Sequence, residues 1–326
     1  MSLAESDSQR AIFVREYFQF LDSCGIASAV LHGWEGGFKG ELTDIDYVIE
    51  EEAFPQIASL VAEYCQQAGW RMCQVLRHET TAAFCVCSAA DDPSCVVALD
   101  ACTAYQRNGS VFFSAAELLA GTIALPWGGN RLLEVNELKY RFMKAAAKAK
   151  PVEGIGAELA AYPETVRKEC AEWLRSEWRL EMPDWSLKTL EDVLVNLHAL
   201  TCRQVGFFSV RSLMRIAERV LHPTGMLLVV GPNHDEEAAR LRDVFGRLYF
   251  RRVSGRKGAG VGCLPALIRS TLITVPVGGG LVRLLESSGL VLNVGDNPSG
   301  ADINLAKFLE ARCARRENLE EARSCH

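Results

Sequence analysis

No CxxC motif and no dense, evenly spaced set of cysteines occurs in this chain, although twelve cysteines run from Cys24 to Cys325. A disulfide-stapled secreted module is excluded on that count, and the thiols read as reduced, small apolar core residues of a cytoplasmic protein. The closest pair, Cys85 and Cys87, shares one face of a strand without the further ligands that zinc requires. There is also no uncharged apolar run of about 18 residues, and MSLAESDSQR holds no basic segment leading into an apolar one. Neither a membrane partner nor export is expected. Basic residues are not in excess, since 35 Lys and Arg stand against 41 Asp and Glu for a net charge of −6. A surface that tracks long nucleic acid is excluded, and an anionic ligand needs a local pocket. No GxSxG elbow and no internal repeat are found.

What is present is a chain of 326 residues, 49% hydrophobic and 23% charged, enough for a large core and about two domains. Ile12, Phe13, Phe18 and Leu21 predict a helix over 11–23, ended by Cys24-Gly25. Ala27–His32 reads as a strand, Gly33–Gly37 as a glycine-rich loop and Ile45–Ile49 as a second strand. Phe54, Ile57, Leu60, Val61 and Tyr64 predict a helix over 53–67. Strands are expected at Trp70–Leu76, Thr81–Cys87 and Cys95–Leu99, giving an α-β-β-α-β-β-β order and an α+β domain over 1–150. Asn136–Lys150 reads as a helix with a solvated basic face. Residues 156–220 are nearly all helical, with capping positions at Pro163-Glu164 and Ser186, and make a helical bridge over 151–222. From Pro223 the pattern changes to an α/β unit over 223–326, with strands at Met226–Val230, Leu272–Val277 and Leu290–Val294.

The stretch LHGWEGGFKGELTDIDYVIE, residues 31–50, carries the most chemistry. Asp44 and Asp46 stand at i and i+2 at the entry to a strand, so both carboxylates share one face and can meet one cation. Paired acids suit Mg²⁺ or Mn²⁺, which take a few carboxylate oxygens and complete their shell with water and phosphate. A third acid is expected on a neighbouring strand, and Asp100 ends VVALD. It would ligate metal or accept a proton from an attacking hydroxyl.

Gly33-Trp34, nine intervening residues and Asp44-Ile45-Asp46 resemble the nucleotidyltransferase fold of the DNA polymerase beta-like superfamily. The resemblance implies an NTP as one partner and an acceptor hydroxyl or phosphate as the other. It implies Asp44, Asp46 and Asp100 as catalytic and metal-binding residues, and Gly33, Trp34, Gly36, Gly37 and Lys144 as nucleotide-binding ones. Trp34 departs from the family, whose residue there is small because the loop approaches the triphosphate. Gly36 and Gly37 restore loop freedom and offer backbone N–H groups to phosphate.

A second resemblance lies at Pro223–Pro232, which is similar to the opening strand of thymidylate kinase-like P-loop domains fused behind nucleotidyltransferase-like domains in bacterial polysaccharide gene clusters. Where that family has a phosphate loop ending Gly-Lys-Ser/Thr, this chain reads Gly231-Pro232-Asn233-His234-Asp235-Glu236-Glu237-Ala238. Glu236 and Glu237 put negative charge where phosphates would dock, so ATP binding there is not expected and a pseudokinase-like unit is. The segments LRHE (76–79) and VALDACTAYQRNG (97–109) extend the likeness. The resemblance implies polysaccharide biosynthesis as the setting and a sugar-related acceptor.

Other residues have bland as well as functional readings. Lys139, Lys144 and Lys148 lie along one helix, where a solvated face competes with neutralisation of a triphosphate. Arg247, Arg251, Arg252, Arg256 and Lys257 form a basic cluster that reads as surface charge or as an anion site. His32 ends the first strand as a packed residue or a proton carrier, and His78 and Glu79 share that ambiguity. Two functions remain open: a metal-dependent nucleotidyltransferase, or a degenerate binding or scaffolding protein that keeps both folds.

Overall fold

The computed structural model describes residues 3–35, 38, 44–79, 81–92, 95–107 and 110–203, helical positions 210, 213 and 217, and four later strands. Helix α1 spans Leu3–Ser23, followed by β1 (Ser28–Val30), β2 (Ile45–Ile49), α2 (Ile57–Gln67), β3 (Trp70–Glu79), β4 (Ala82–Ala89) and β5 (Val96–Cys102). A hairpin of β6 (Ala104–Arg107) and β7 (Ser110–Ser114) follows, then α3 (Ala115–Leu119), β8 (Ile123–Ala124), β9 (Asn130–Arg131) and α4 (Glu134–Ala147). Three further helices are α5 (Gly156–Ala160), α6 (Glu164–Trp178) and α7 (Leu187–Arg203). The architecture is α+β around a mixed sheet of seven strands in the order β3-β4-β5-β2-β1-β9-β8.

Strand alternation divides the core into two halves. On one face Tyr47, Ile49, Cys85, Cys87, Val97 and Leu99 pack under α1 and α2. On the other, Ala29, Leu31, Val48 and Cys102 share a core with α4, α6 and α7, including Leu138, Phe142, Leu174, Leu190 and Leu197. β4 is buried along its whole length, and its face carrying Ala83, Cys85 and Cys87 belongs to the core under α1 and α2. The buried stripe of α1 is Phe13, Val14, Tyr17, Phe18 and Leu21. Ile12, expected in that stripe, is 42% exposed, because one residue turns a helix by about 100° and its neighbour Phe13 takes the inward place. Tyr17 and Tyr47 are fully buried from opposite elements and their hydroxyls meet at 2.7 Å.

Helix α4 keeps the expected solvated basic residues only at its C-terminal end, where Lys148 and Lys150 are exposed. It lies between the sheet and α6 and α7, so Ala145, Ala146 and Ala147 are buried packing residues. Their small side chains let the helix approach closely on several sides. Pro163 stands at the N-cap of α6, and the Ser186 hydroxyl accepts from the Thr189 N–H at 3.3 Å where α7 begins. Trp173, Trp178 and Trp185 are partly buried against the same core.

The later strands β10 (Met226–Val230), β11 (Arg252–Gly255), β12 (Thr271–Pro276) and β13 (Val291–Gly295) form a sheet in the order β11-β12-β10-β13. All three pairings are parallel. Arg252, one residue of the basic cluster, stands at the start of β11. The Gly231–Ala238 loop and Arg247, Arg251, Arg256 and Lys257 lie outside the described residues, as do Gly36 and Gly37. Among the described residues, no helix is long and apolar enough to cross a membrane.

Candidate functional site

β2 and β5 run parallel with Asp46 and Asp100 as Cα partners. Both side chains leave the sheet on the face that carries Val48 and Cys102, which is the face α4 covers. Asp44 lies two residues before Asp46, in an exposed position at the strand entry. The two acids read from spacing and the third read from a neighbouring strand therefore come to one end of one sheet face.

Lys144 descends on this group from α4. Its Nζ donates to Asp46 Oδ2 at 2.6 Å and lies 2.6 Å from His32 Nε2. His32 Nε2 is itself 2.8 Å from Asp46 Oδ2. The Lys144 side chain is 12% exposed and that of Asp46 16%, so this lysine is paired with Asp46 and does not belong to a solvated face. The Tyr140 ring lies beside this triangle, 5.4 Å from Lys144 Nζ and stacked on the His32 ring at 6.1 Å.

The two register partners are driven in opposite directions. Burial by itself would raise Asp46, but hydrogen bonding to His32 and the Lys144 ammonium outweigh it and hold the carboxyl well below the usual range. Burial raises Asp100 well above that range, and the negative charges of Asp46 and Asp44 push it further. Asp46, paired with the Lys144 ammonium, therefore favours its charged form, while Asp100, covered and beside two acids, favours its protonated one.

A second polar group continues the same face of α4. Glu137, Arg141 and Lys144 are spaced at i, i+4 and i+7, which aligns them along the helix. Glu137 is 2% exposed and receives Trp34 Nε1–H at 3.4 Å. Arg131 lies over the Trp34 ring, 4.4 Å from its centre, and approaches Glu137 at 3.8 Å. Arg141 reaches Glu137 at 3.8 Å, donates to Tyr162 at 3.3 Å and pairs with Glu158. Burial raises Glu137, while hydrogen bonds from Tyr162 and Trp34 and the Arg141 charge act against it. Gly33 sends the chain from β1 into this wall with φ +76°, a conformation that side chains other than glycine rarely take.

Trp34 is thus a packed, hydrogen-bonded wall residue, which accounts for a bulky side chain beside the glycine turn. Arg131 and Glu137 escaped sequence reading: β9 is only two residues long, and Glu137 looks like one more acid in a charged helix. The one available signal was its separation from Lys144 by two helical turns. Among the described residues, no three His, Cys, Asp or Glu side chains stand close enough together to hold a metal ion. The donor set nevertheless suits a divalent cation chemically, because clustered carboxylates that push one member toward protonation are relieved by positive charge. No protein-family model, no curated protein and no solved structure matches the chain.

Proposed function

We propose that this chain is a Mg²⁺- or Mn²⁺-dependent nucleotidyltransferase. It would move a nucleoside monophosphate from an NTP to a hydroxyl or phosphate of a small, sugar-related acceptor. The observation that carries the reading is the placement of Asp46 and Asp100 side by side on parallel strands, with Asp44 two residues upstream. The order of strands and helices around them agrees with the nucleotidyltransferase-like fold that the Gly33 to Asp46 spacing suggests. The parallel arrangement of β10–β13 agrees with a kinase-like α/β unit, in which the Glu236 and Glu237 charges argue against ATP. We read the setting as cytoplasmic from the cysteine spacing, which lacks the dense, even framework of a disulfide-stapled module.

In this reading Asp44, Asp46 and Asp100 hold the metal, which when bound supplies charge neutralisation for the triphosphate and its leaving pyrophosphate. Asp100 has the raised proton affinity wanted in an acceptor for the attacking hydroxyl's proton. Lys144 offers its ammonium to phosphate once Asp46 has another partner. The turn at Gly33 keeps backbone beside the phosphates, and Trp34 closes that side of the site against water.

The test is a panel of NTPs with Mg²⁺ or Mn²⁺ read by thermal shift. A ligand at about 100 times its Kd stabilises by about 2.7 kcal/mol, and the Asp44→Ala, Asp46→Ala double variant is expected to lose that shift while still melting cooperatively. A second reading, a binding or scaffolding protein without catalysis, is favoured by the engagement of both Trp34 and Lys144 with protein groups. It prevails if NTP binding is absent or ignores the double substitution.

A further inference from the structure

The His32, Asp46 and Lys144 triangle has a chemical peculiarity. Three polar atoms stand within 2.6 to 2.8 Å of one another, and the ammonium is the one group with protons for both of the others. Lys144 donates to both at once when His32 Nε2 carries its lone pair, and the same nitrogen donates to Asp46 Oδ2 when it carries the proton. A lone-pair imidazole nitrogen and a carboxylate oxygen converging on a positive charge are the donors of a mixed nitrogen and oxygen metal site. Tyr140 stacks on the His32 ring and holds its plane toward that point. The ammonium marks a cation position that the protein's own side chain fills.

We propose that Lys144 occupies the cation position of the resting site, and that the divalent ion which replaces it takes His32 Nε2 as well as Asp46 as a ligand, favouring a first-row transition ion over Mg²⁺. The inference rests on the metal-dependent reading above and adds to it a ligand and a metal class. Mg²⁺ prefers oxygen and dehydrates reluctantly, so an imidazole contributes little to holding it, whereas transition ions gain from nitrogen. Lys144 and the incoming ion compete for Asp46, since two like charges cannot share one oxygen at these distances. Binding of metal and release of Lys144 are therefore one event.

The experiment is electron paramagnetic resonance of Mn²⁺ added to the full chain, with Mg²⁺ as competitor. Lys144→Met is expected to tighten Mn²⁺ binding about tenfold by removing the competing charge. The bound Mn²⁺ is expected to show imidazole-nitrogen modulation in pulsed spectra. His32→Gln should abolish that modulation and let Mg²⁺ displace Mn²⁺ about tenfold more readily. Wild-type protein at saturating Mn²⁺ gives the spectral test without any substitution, so a poorly folding Lys144 variant does not remove it. Mn²⁺ that depends on Asp46 but shows no nitrogen modulation overturns the His32 assignment and leaves the transferase reading standing. Mn²⁺ binding indifferent to Asp46→Asn, or no binding at all, overturns both.

Discussion

Asp46 and Asp100 face each other across the parallel β2–β5 pair, yet their carboxyl groups are driven apart in acidity, one held low by His32 and Lys144 and the other raised by burial and its acidic neighbours. The difference has a geometric origin. Lys144 bonds to Asp46 on β2, so the charged form is favoured on that strand, whereas on β5 burial and the acidic neighbours favour the protonated form.

Replacing Lys144 with Met leaves Asp46 and Asp100 together without the ammonium that pairs with Asp46. A stability loss of about 2–3 kcal/mol at pH 7 is expected, below the value for a fully buried pair because both partners keep some solvent contact. In the variant both carboxyls take up protons more readily, so the deficit should shrink as pH falls through the ordinary carboxylate range. Urea denaturation at several pH values, with and without Mn²⁺, measures both the loss and its recovery by metal.

Asp100→Asn should do the reverse. A carboxyl whose folded pKa is raised binds more protons in the native state than in the unfolded one, so its contribution to stability falls as pH rises above the ordinary carboxylate pKa. The amide lacks that penalty. The variant is expected to be more stable than wild type at pH 8 and to lose the advantage near pH 4, which melting curves across that range will show.

Trp34→Phe keeps a ring under Arg131 but removes the N–H given to Glu137, for an expected cost of about 1 kcal/mol. Trp34→Ser removes ring and stack together and should cost about 2–3 kcal/mol. Equal losses in chemical denaturation would mean that the Arg131 contact contributes nothing.

The Tyr17 and Tyr47 hydroxyls satisfy one another inside the core. Either Tyr→Phe change alone should cost about 1–3 kcal/mol by stranding the other hydroxyl, and the double change should cost less than the two single losses combined. A double-mutant cycle in urea checks this.

The parts of the fold visible in the sequence are those with local periodicity. Ile45–Ile49 and Met226–Val230 are strands over the expected residues, and the i, i+2 placement of Asp44 and Asp46 is sufficient to put them on one side of β2. The requirement for a third acid on a neighbouring strand led to Asp100. What escaped depends on contacts distant in the chain. Lys139, Lys144 and Lys148 are alike in type and similar in spacing, and only the position of the sheet beneath α4 selects Lys144. The two-residue strands β8 and β9 are too short to show alternation, and with them Arg131 went unread. The burial of Ala145–Ala147 was masked by their high helix propensity, which suits surface and interior alike.

The position of α4 between the sheet and the later helices has a consequence for how the chain can be divided. Leu31 and Val48 of the sheet region, Leu138 and Phe142 of α4, and Leu174, Leu190 and Leu197 of α6 and α7 belong to one continuous core, and His198 Nδ1 lies 2.8 Å from the Ala146 carbonyl in the last turn of α4. Residues on either side of position 150 therefore share one interior. A fragment stopped there would bare the outer side of α4 and unmoor the helix that carries Lys144. A piece that keeps the acidic site in order must therefore include α6 and α7.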